Sequence, residues 1–361
     1  MKRSLSSRKH SDRSIHISIG GPFERKLEVN YVTEGGKIIV IPTGEWLREV
    51  EIYPFINFEG RTYSVNFITV KEIENEFIRK YGENHFNRYF MNSSTAILLE
   101  NLAEPPEVNY DTIGKIFDMV APKYSHKVGT NWVQHLMRER SAALLREYIR
   151  PGDRILDLGS GPDSEIFKVK GMRSVTEVDV SKSSLRIAED YHGRDSVNYI
   201  LLRDLEEISG EYEIIFSTFG YLNIEKKENL ERIVERNLKE GGILVGAFLN
   251  KFGLMDTALN TMLFRWSYVK EKMRGKLSVN YSRYGMISYP RSPSFVNEIK
   301  GLRPEYVSGI CLILPPYYFS RLVKFSEKIA IIGKIENLML RFPFLWRGAD
   351  YILFVSRKVK S

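Results

Sequence analysis

Cysteine is all but missing from this chain of 361 residues: Cys311 is the one copy. That excludes an internal disulfide framework and a cysteine-rich zinc site, and it suits a reducing compartment, so a cytoplasmic location is expected. Long apolar runs are missing too. No stretch approaches the ~18 uninterrupted apolar residues of a membrane span, so none is expected. The first 13 residues, Met1 to Arg13, are basic and Ser-rich but lack an apolar core, which excludes a secretory signal and reads as a disordered tail. An acidic excess is also lacking: 53 Lys and Arg stand against 45 Asp and Glu, a formal charge of +8. The cations are spread along the chain, which allows a polyanionic partner without demanding one. What is present is ordinary for a globular protein, 43% hydrophobic and 27% charged. The length accommodates two domains with a core each.

Residues 14–103 carry short alternating runs: His16-Ile17-Ser18-Ile19, Lys37 to Ile41, Glu51 to Ile56 and Tyr63 to Phe67. Gly20-Gly21, Gly35-Gly36, Thr43-Gly44 and Glu59-Gly60 separate them, the punctuation of a small β-rich unit. A helical stretch from Val70 to Tyr89 follows. Glu104-Pro105-Pro106-Glu107 then reads as a linker over 104–110, since paired prolines break both helix and sheet. From 111 to 361 the pattern alternates helix and strand. Asn131 to Ile149 places Val133, Leu136, Met137, Leu144 and Tyr148 at helical spacing. Strands are expected at 153–158, 175–179, 197–202, 212–217, 243–249, Tyr306 to Leu314 and Tyr351 to Ser356. A helix between 212–217 and 243–249 is expected to end at Gly241-Gly242. The fold class is therefore α/β, a doubly wound, Rossmann-like, seven-stranded and mostly parallel sheet behind a small β-rich domain.

The most informative segment is Ile155-Leu156-Asp157-Leu158-Gly159-Ser160-Gly161, a strand running into a glycine turn. Gly159 and Gly161 let the backbone turn sharply and approach a ligand without Cβ interference. Asp179 closes the next strand, where its carboxylate can accept from both hydroxyls of a ribose. A dinucleotide site wants a third glycine and a turn hospitable to pyrophosphate. Here the run continues Pro162-Asp163-Ser164, and Asp157 would repel a phosphate while favouring an ammonium. Ribose and ammonium without phosphate point to S-adenosylmethionine, and they argue against a nicotinamide oxidoreductase.

Residues 111–249 resemble a class I S-adenosylmethionine-dependent methyltransferase, nearest in style to the ubiquinone/menaquinone-biosynthesis type. Ile116 to Tyr124 resembles the family's segment closing over the cofactor, and Ile155 to Gly161 its first motif. Glu177-Val178-Asp179-Val180-Ser181 resembles its ribose-binding acid, Arg203-Asp204-Leu205 its adenine-contacting acid, and Asn237 to Gly242 the helix end before strand five. The resemblance implies that Asp157 reaches the methionyl ammonium, with Gly159, Ser160 and Gly161 lining it. Asp179 and Val180 would meet the ribose, Asp204 and Leu205 the adenine, and Tyr124 would cover the site. Phe216 and Ser217 begin a floor running to Tyr221. The sequence departs from the family pattern at Asp163, where a small residue is usual, and this acid could cap a short helix starting at Ser164. It departs again at Tyr212-Glu213, where Phe-Asp is commoner.

Methyl transfer from a sulfonium is an in-line displacement, so positioning dominates and a base is needed only for a nucleophile of high pKa. Candidates are Tyr124, His126, His135 and Tyr221, each histidine lacking a partner at readable spacing. Ser217-Thr218-Phe219-Gly220 supplies no carboxylate, so no metal is expected. Phe264, Trp266, Tyr268, Tyr281, Tyr284 and Tyr289, with Pro315-Pro316-Tyr317-Tyr318, could cover an apolar acceptor or simply pack a core. A small-molecule, lipid-like or isoprenoid acceptor is the leading expectation. Lys270, Lys272, Arg274 and Lys276 keep RNA open, and a protein acceptor gripped by the N-terminal domain is the companion alternative. A cofactor-binding regulator without turnover is the reading from another class. The N-terminal unit resembles split-barrel flavin-binding folds over Ile39 to Tyr63, with Gly44-Glu45-Trp46-Leu47-Arg48 and Tyr53-Pro54. It has no phosphate-gripping motif, which favours an accessory role.

Overall fold

A computed structural model of the chain describes residues 13–19, 25–43, 46–59, 61–101, 110–129, 131–170, 172–281, 284–319, 326–342 and 344–359. The basic tail, the Gly20-Gly21, Gly44 and Gly60 positions and the Pro105-Pro106 segment lie outside them. The backbone clusters into two compact units that divide between Thr112 and Ile113, except that Tyr284 and Gly285 group with the first.

The first unit is a closed antiparallel barrel of six strands: β1 (Ser14–Ile19), β2 (Arg25–Glu34), β3 (Lys37–Val40), β4 (Phe55–Phe58), β5 (Arg61–Thr69) and β6 (Thr95–Asn101). Their order is β1-β2-β3-β6-β5-β4, with β4 returning to pair β1. Gly35 and Gly36 form the two-residue β2–β3 turn, both at positive φ, as a type I′ hairpin requires. Ile15, Ile17, Ile56, Val65, Ile97 and Leu99 fill the interior. Helix α1 (Trp46–Ile52) stands where an alternating run suggests strand over Glu51 to Ile56. Trp46, Glu49 and Val50 are buried at i, i+3 and i+4, so the helical period wins there and the strand begins only at Phe55. The helical stretch after β5 is two helices, α2 (Val70–Tyr81) and α3 (Glu83–Tyr89). They are broken at Gly82, whose φ of +88° ends the first.

The second unit is built on a seven-stranded mixed sheet: β7 (Arg154–Leu158), β8 (Ser174–Asp179), β9 (Val197–Leu201), β10 (Tyr212–Thr218), β11 (Leu238–Leu249), β14 (Leu302–Ile310) and β15 (Tyr351–Lys358). The order is β14-β15-β11-β10-β7-β8-β9. All strands run parallel except β15, which is antiparallel to both neighbours. A separate hairpin pairs β12 (Leu277–Tyr281) with β13 (Tyr284–Ser288). The parallel strands read as continuous apolar runs because neighbouring elements cover them, and Ile155, Val175, Ile214, Val245 and Leu353 share one core. Strand order reverses between β7 and β10, so their carboxyl ends open the crevice where ligands bind in such sheets. No helix among the described residues is long and apolar enough to cross a membrane.

Three expectations need adjusting. The helix before β11, α8 (Lys227–Asn237), stops at Asn237, and 238–242 is already strand. Its glycines serve a bulge: Gly241 has φ +72°, and the β10–β11 register slips between Tyr212 and Ile214. The strand expected at Tyr306 to Leu314 lies at Leu302–Ile310 instead. Past it, the amides of Cys311, Ile313 and Leu314 donate to the buried Glu336 carboxylate at 3.0–3.1 Å rather than to a neighbouring strand. Finally, the short 3-10 helix Glu165–Lys168 is capped by Ser164, whose hydroxyl accepts from Ile166 N at 3.2 Å, and not by Asp163.

Candidate functional site

The β7 turn is pinned from below. Gly159 N and Ser160 N donate to the Val178 carbonyl at 2.8 and 3.3 Å, folding the loop back across β8. Gly159 (φ +74°) is required twice over, since a Cβ there would also lie 3.0 Å from Cβ and N of Tyr221. Gly161 (φ +66°) differs: a Cβ there would meet nothing within 4 Å, so its outer side faces open space. The turn is closed towards the core and open outward, which is the shape of a ligand cradle.

Two acids flank that opening. Asp179 ends β8 and holds the turn, accepting Gly161 N at 3.0 Å on Oδ2 and Ser181 N at 2.8 Å on Oδ1. A carboxylate has about four acceptor positions, so even with the Val180 amide also turned towards it, Asp179 keeps capacity for a further donor. Burial lifts it to about 6, with the backbone amides of Ser181, Gly161 and Val180 pulling the other way. Asp157, buried in β7, accepts the Ser164 hydroxyl, and burial pushes it up to about 8 despite that bond. Glu177, directly across the ladder from Asp157, is fully buried, and neither of its carboxyl oxygens has a hydrogen-bond partner among the described residues. Burial, then the charges of Asp157 and Asp179, raises it to about 9.

One helix face roofs the β8 end. In α4 (Tyr110–Gly129), residues 114, 118, 121 and 124 form one stripe at helical spacing. A Cβ on Gly114 would sit 2.3 Å from the Val180 carbonyl oxygen, so the helix lies almost on the strand. Asp118 accepts Ser181 Oγ at 2.7 Å and Ser183 N at 2.8 Å. Ala121 is buried. Tyr124 follows, half-buried, within the fields of Arg138, Glu165, Tyr317 and Asp179, and burial pushes its phenol to about 12. At neutral pH it keeps its proton, so it can donate a hydrogen bond but is no ready base.

The structure brings together Tyr124, Asp157, Gly159, Ser160, Gly161, Asp179, Val180 and Tyr221. Phe216 and Ser217 lie beneath rather than in the opening: Phe216 packs in the core, and the Ser217 hydroxyl donates to the Leu158 carbonyl at 2.9 Å. Asp204 is exposed and caps its own 3-10 helix, accepting Glu206 N at 3.1 Å, with Leu205 buried behind it. His135 is exposed and stacks obliquely on Trp132 at 5.4 Å, away from the turn. The side chain of His126, and those of Tyr281 and Tyr284, are outside the described residues. No spacing announces the buried pair of Arg138 and Glu165, which also takes in Asp163 (3.1 Å from Arg138) and Thr218 (3.4 Å from Glu165). Its members come from four elements, and the available sequence signal was only the charge at Asp163. Of the four catalytic candidates, Tyr124 and Tyr221 therefore border the opening. Among the described residues, no group of three or more His, Cys, Asp or Glu could hold a metal.

No protein-family model matches the chain. A ribosomal protein L11 methyltransferase of Thermotoga neapolitana is 26% identical over 148 residues, 40% of this chain and 53% of that protein. The chain thus spans about half the length of the curated relatives it matches. Among solved structures, an S-adenosylmethionine dependent methyltransferase from Mesorhizobium loti aligns with 60% of this chain and 96% of its own, at 16% identity and TM-score 0.39. A geranyl diphosphate C-methyltransferase from Streptomyces coelicolor aligns with 63% and 77%, at 15% identity and TM-score 0.40. The strand order and the acid-flanked glycine turn define a methyltransferase-like α/β fold behind a separate six-stranded barrel.

Proposed function

We propose that this protein transfers a methyl group from S-adenosylmethionine to a small-molecule or lipid-like acceptor of isoprenoid kind. One observation carries the reading: Asp157 and Asp179 flank a glycine turn whose outer side is open. Asp157 would face the methionyl ammonium, whose charge would favour ionisation of this otherwise neutral acid. Gly159, Ser160 and Gly161 would line that end, and the spare acceptor capacity of Asp179 would take a ribose hydroxyl, with Val180 beside it. Asp204 would accept from the adenine amine, with Leu205 against the ring. The bound sulfonium supplies an electrophilic methyl. The chain's own contribution is orientation: Tyr124 covers the donor and excludes water, Tyr221 supports the turn, and Phe216 and Ser217 stiffen the strand below. Tyr124, holding its proton, is suited to donating a hydrogen bond rather than acting as a base.

The acceptor side is supported by aromatic rings near the same strand ends. Phe219, itself at φ +58°, meets Tyr351 edge-on at 5.4 Å, and Tyr317 meets Tyr318 at 5.7 Å. The resemblance to quinone-biosynthesis methyltransferases agrees with an isoprenoid acceptor. The curated matches, named for ribosomal protein L11, favour a protein acceptor as the second reading, with the barrel as its grip. Lys272, one of the four cations over 270–276 that kept an RNA acceptor open, is buried in an ion pair with Asp256, which weakens the case for RNA. Methyl-labelled S-adenosylmethionine, incubated with fractionated cell extract, separates these readings. Label in the lipid or small-molecule fraction supports the proposal, whereas label in protein or RNA overturns the acceptor assignment. No label in any fraction favours a cofactor-binding protein without turnover.

A further inference from the structure

The region after β11 carries apolar side chains where solubility alone would not put them. Helices α9 (Leu254–Met262) and α10 (Trp266–Arg274) meet at an elbow, and there Met262 is 73%, Phe264 80% and Trp266 59% exposed. The elbow is built, not frayed. Leu263 N, Phe264 N and Arg265 N close it onto the carbonyls of Leu259, Thr261 and Asn260 at 2.9–3.0 Å. Asn260 is fully buried and donates to Asp256 Oδ1 at 3.0 Å, and Asp256 pairs with the buried Lys272 of α10. The Tyr268 and Tyr318 hydroxyls donate to the same carboxylate. This buried network fixes the angle between the two helices and presents Phe264 outward at φ +56°.

A second ring is displayed in the same way. Phe344 is 66% exposed at φ +73°, next to the exposed Phe342. The two segments touch at the start of α9, where the Leu254 side chain packs against the place a Cβ on Gly348 would take. Bulky residues rarely adopt left-handed backbone, and two solvent-facing phenylalanines doing so mark a surface with a purpose. The charges these two segments expose are mostly positive. Arg265, Lys270, Arg274 and Arg341 are exposed, and Arg347 lies over the Phe344 ring at 5.0 Å. The acids in 251–276 and 331–349 are Asp256, Glu271 and Glu336, of which Asp256 and Glu336 are buried and already paired.

We infer that this face docks on an anionic lipid bilayer, the rings and Met262 entering the interface while the flanking cations meet lipid phosphates. A second copy of the chain across a twofold axis would set these cations against each other. RNA would reward the cations and rings but not the aliphatic Met262 and Leu263 beside them. The surface stands without any cofactor. Its use, delivering a lipid-like acceptor to the β7–β10 crevice, rests on the function proposed above.

The test is flotation of the full chain with phosphatidylcholine vesicles, with and without phosphatidylglycerol. Binding is expected to the anionic vesicles, and Phe264→Ser with Trp266→Ser should weaken it by about tenfold or more while leaving the melting temperature in place. Arg265→Gln with Lys270→Gln should remove the preference for the anionic lipid. Failure of the wild type to float with anionic vesicles overturns the inference. So does a dimer in sedimentation, or single-stranded RNA binding, that Phe264→Ser with Trp266→Ser abolishes. Calorimetric titration with S-adenosylmethionine in solution keeps the readings apart, because vesicle binding without cofactor binding leaves the surface standing and removes the methyl-transfer role.

Discussion

Glu177 faces Asp157 across the β7–β8 ladder, and no described side chain or amide donates to it. Paired residues of parallel strands point to the same side of a sheet, so two carboxyls share one dry face, with Asp179 two residues on. Neutralisation is the inexpensive way to keep them there. The site is thus poised to gain negative charge when a cation arrives.

Glu177→Gln should expose the cost of this arrangement. Folding lifts Glu177 from its ordinary 4.5 to about 9, so the native state holds a proton that the unfolded chain releases. Its contribution is present in full below the unfolded value and is lost as pH rises towards 9. The variant lacks that loss. Its stability should match the wild type near the acid end and exceed it increasingly above, by at most about 1.4 kcal/mol per pH unit. Denaturant melts across that range report the gap, and a gap independent of pH would contradict the buried neutral carboxyl.

Cofactor affinity should follow Asp157. Its free-state value of about 8 must fall when an ammonium binds, so binding expels a proton at neutral pH. Affinity should then weaken as pH drops below about 8, approaching tenfold per unit, and Asp157→Asn should flatten the profile. Calorimetry in buffers of different ionisation enthalpy counts the proton directly. A flat wild-type profile would remove Asp157 from the ammonium site.

Gly114→Ala sets two effects in opposition. Alanine favours a helix interior by about 1 kcal/mol over glycine. The new Cβ, however, would lie 2.3 Å from the Val180 carbonyl oxygen, and backbone cannot swing aside as a side chain would. The clash should win, lowering the unfolding midpoint, tilting α4 away and weakening cofactor affinity. An unchanged affinity would mean that α4 does not position Tyr124 over the site.

Lys272→Met should leave the buried Asp256 carboxylate without its cation, held only by the neutral donors Asn260, Tyr268 and Tyr318, and cost about 3–5 kcal/mol in denaturant unfolding. Adding Asp256→Asn should recover part of it. A loss below about 1 kcal/mol, the size of an exposed pair, would show that the pair is not buried in solution.

The β7 turn and its acid partner were legible because each is local: a strand, two glycines and a terminal acid within 25 residues. The alternation of helix and strand in the second unit was legible for the same reason. The Arg138–Glu165–Thr218 group was not, since its members meet only through the sheet's topology. In the barrel, β2 escapes notice because its buried residues, Val29 and Val32, stand three apart and break the alternation, and β6 because Ala96-Ile97-Leu98-Leu99 is apolar without alternation. Helix α1 imitates a strand at Glu49-Val50-Glu51-Ile52, and only the burial of Trp46 with Val50 decides for the helix.

Asp179 gives the most direct measurement. Isothermal titration of the full chain with S-adenosylmethionine should show one site, and Asp179→Ala should weaken it by about 1–3 kcal/mol, roughly tenfold to a hundredfold. Absence of binding to the wild type, or an affinity that Asp179→Ala leaves unchanged, would contradict the account.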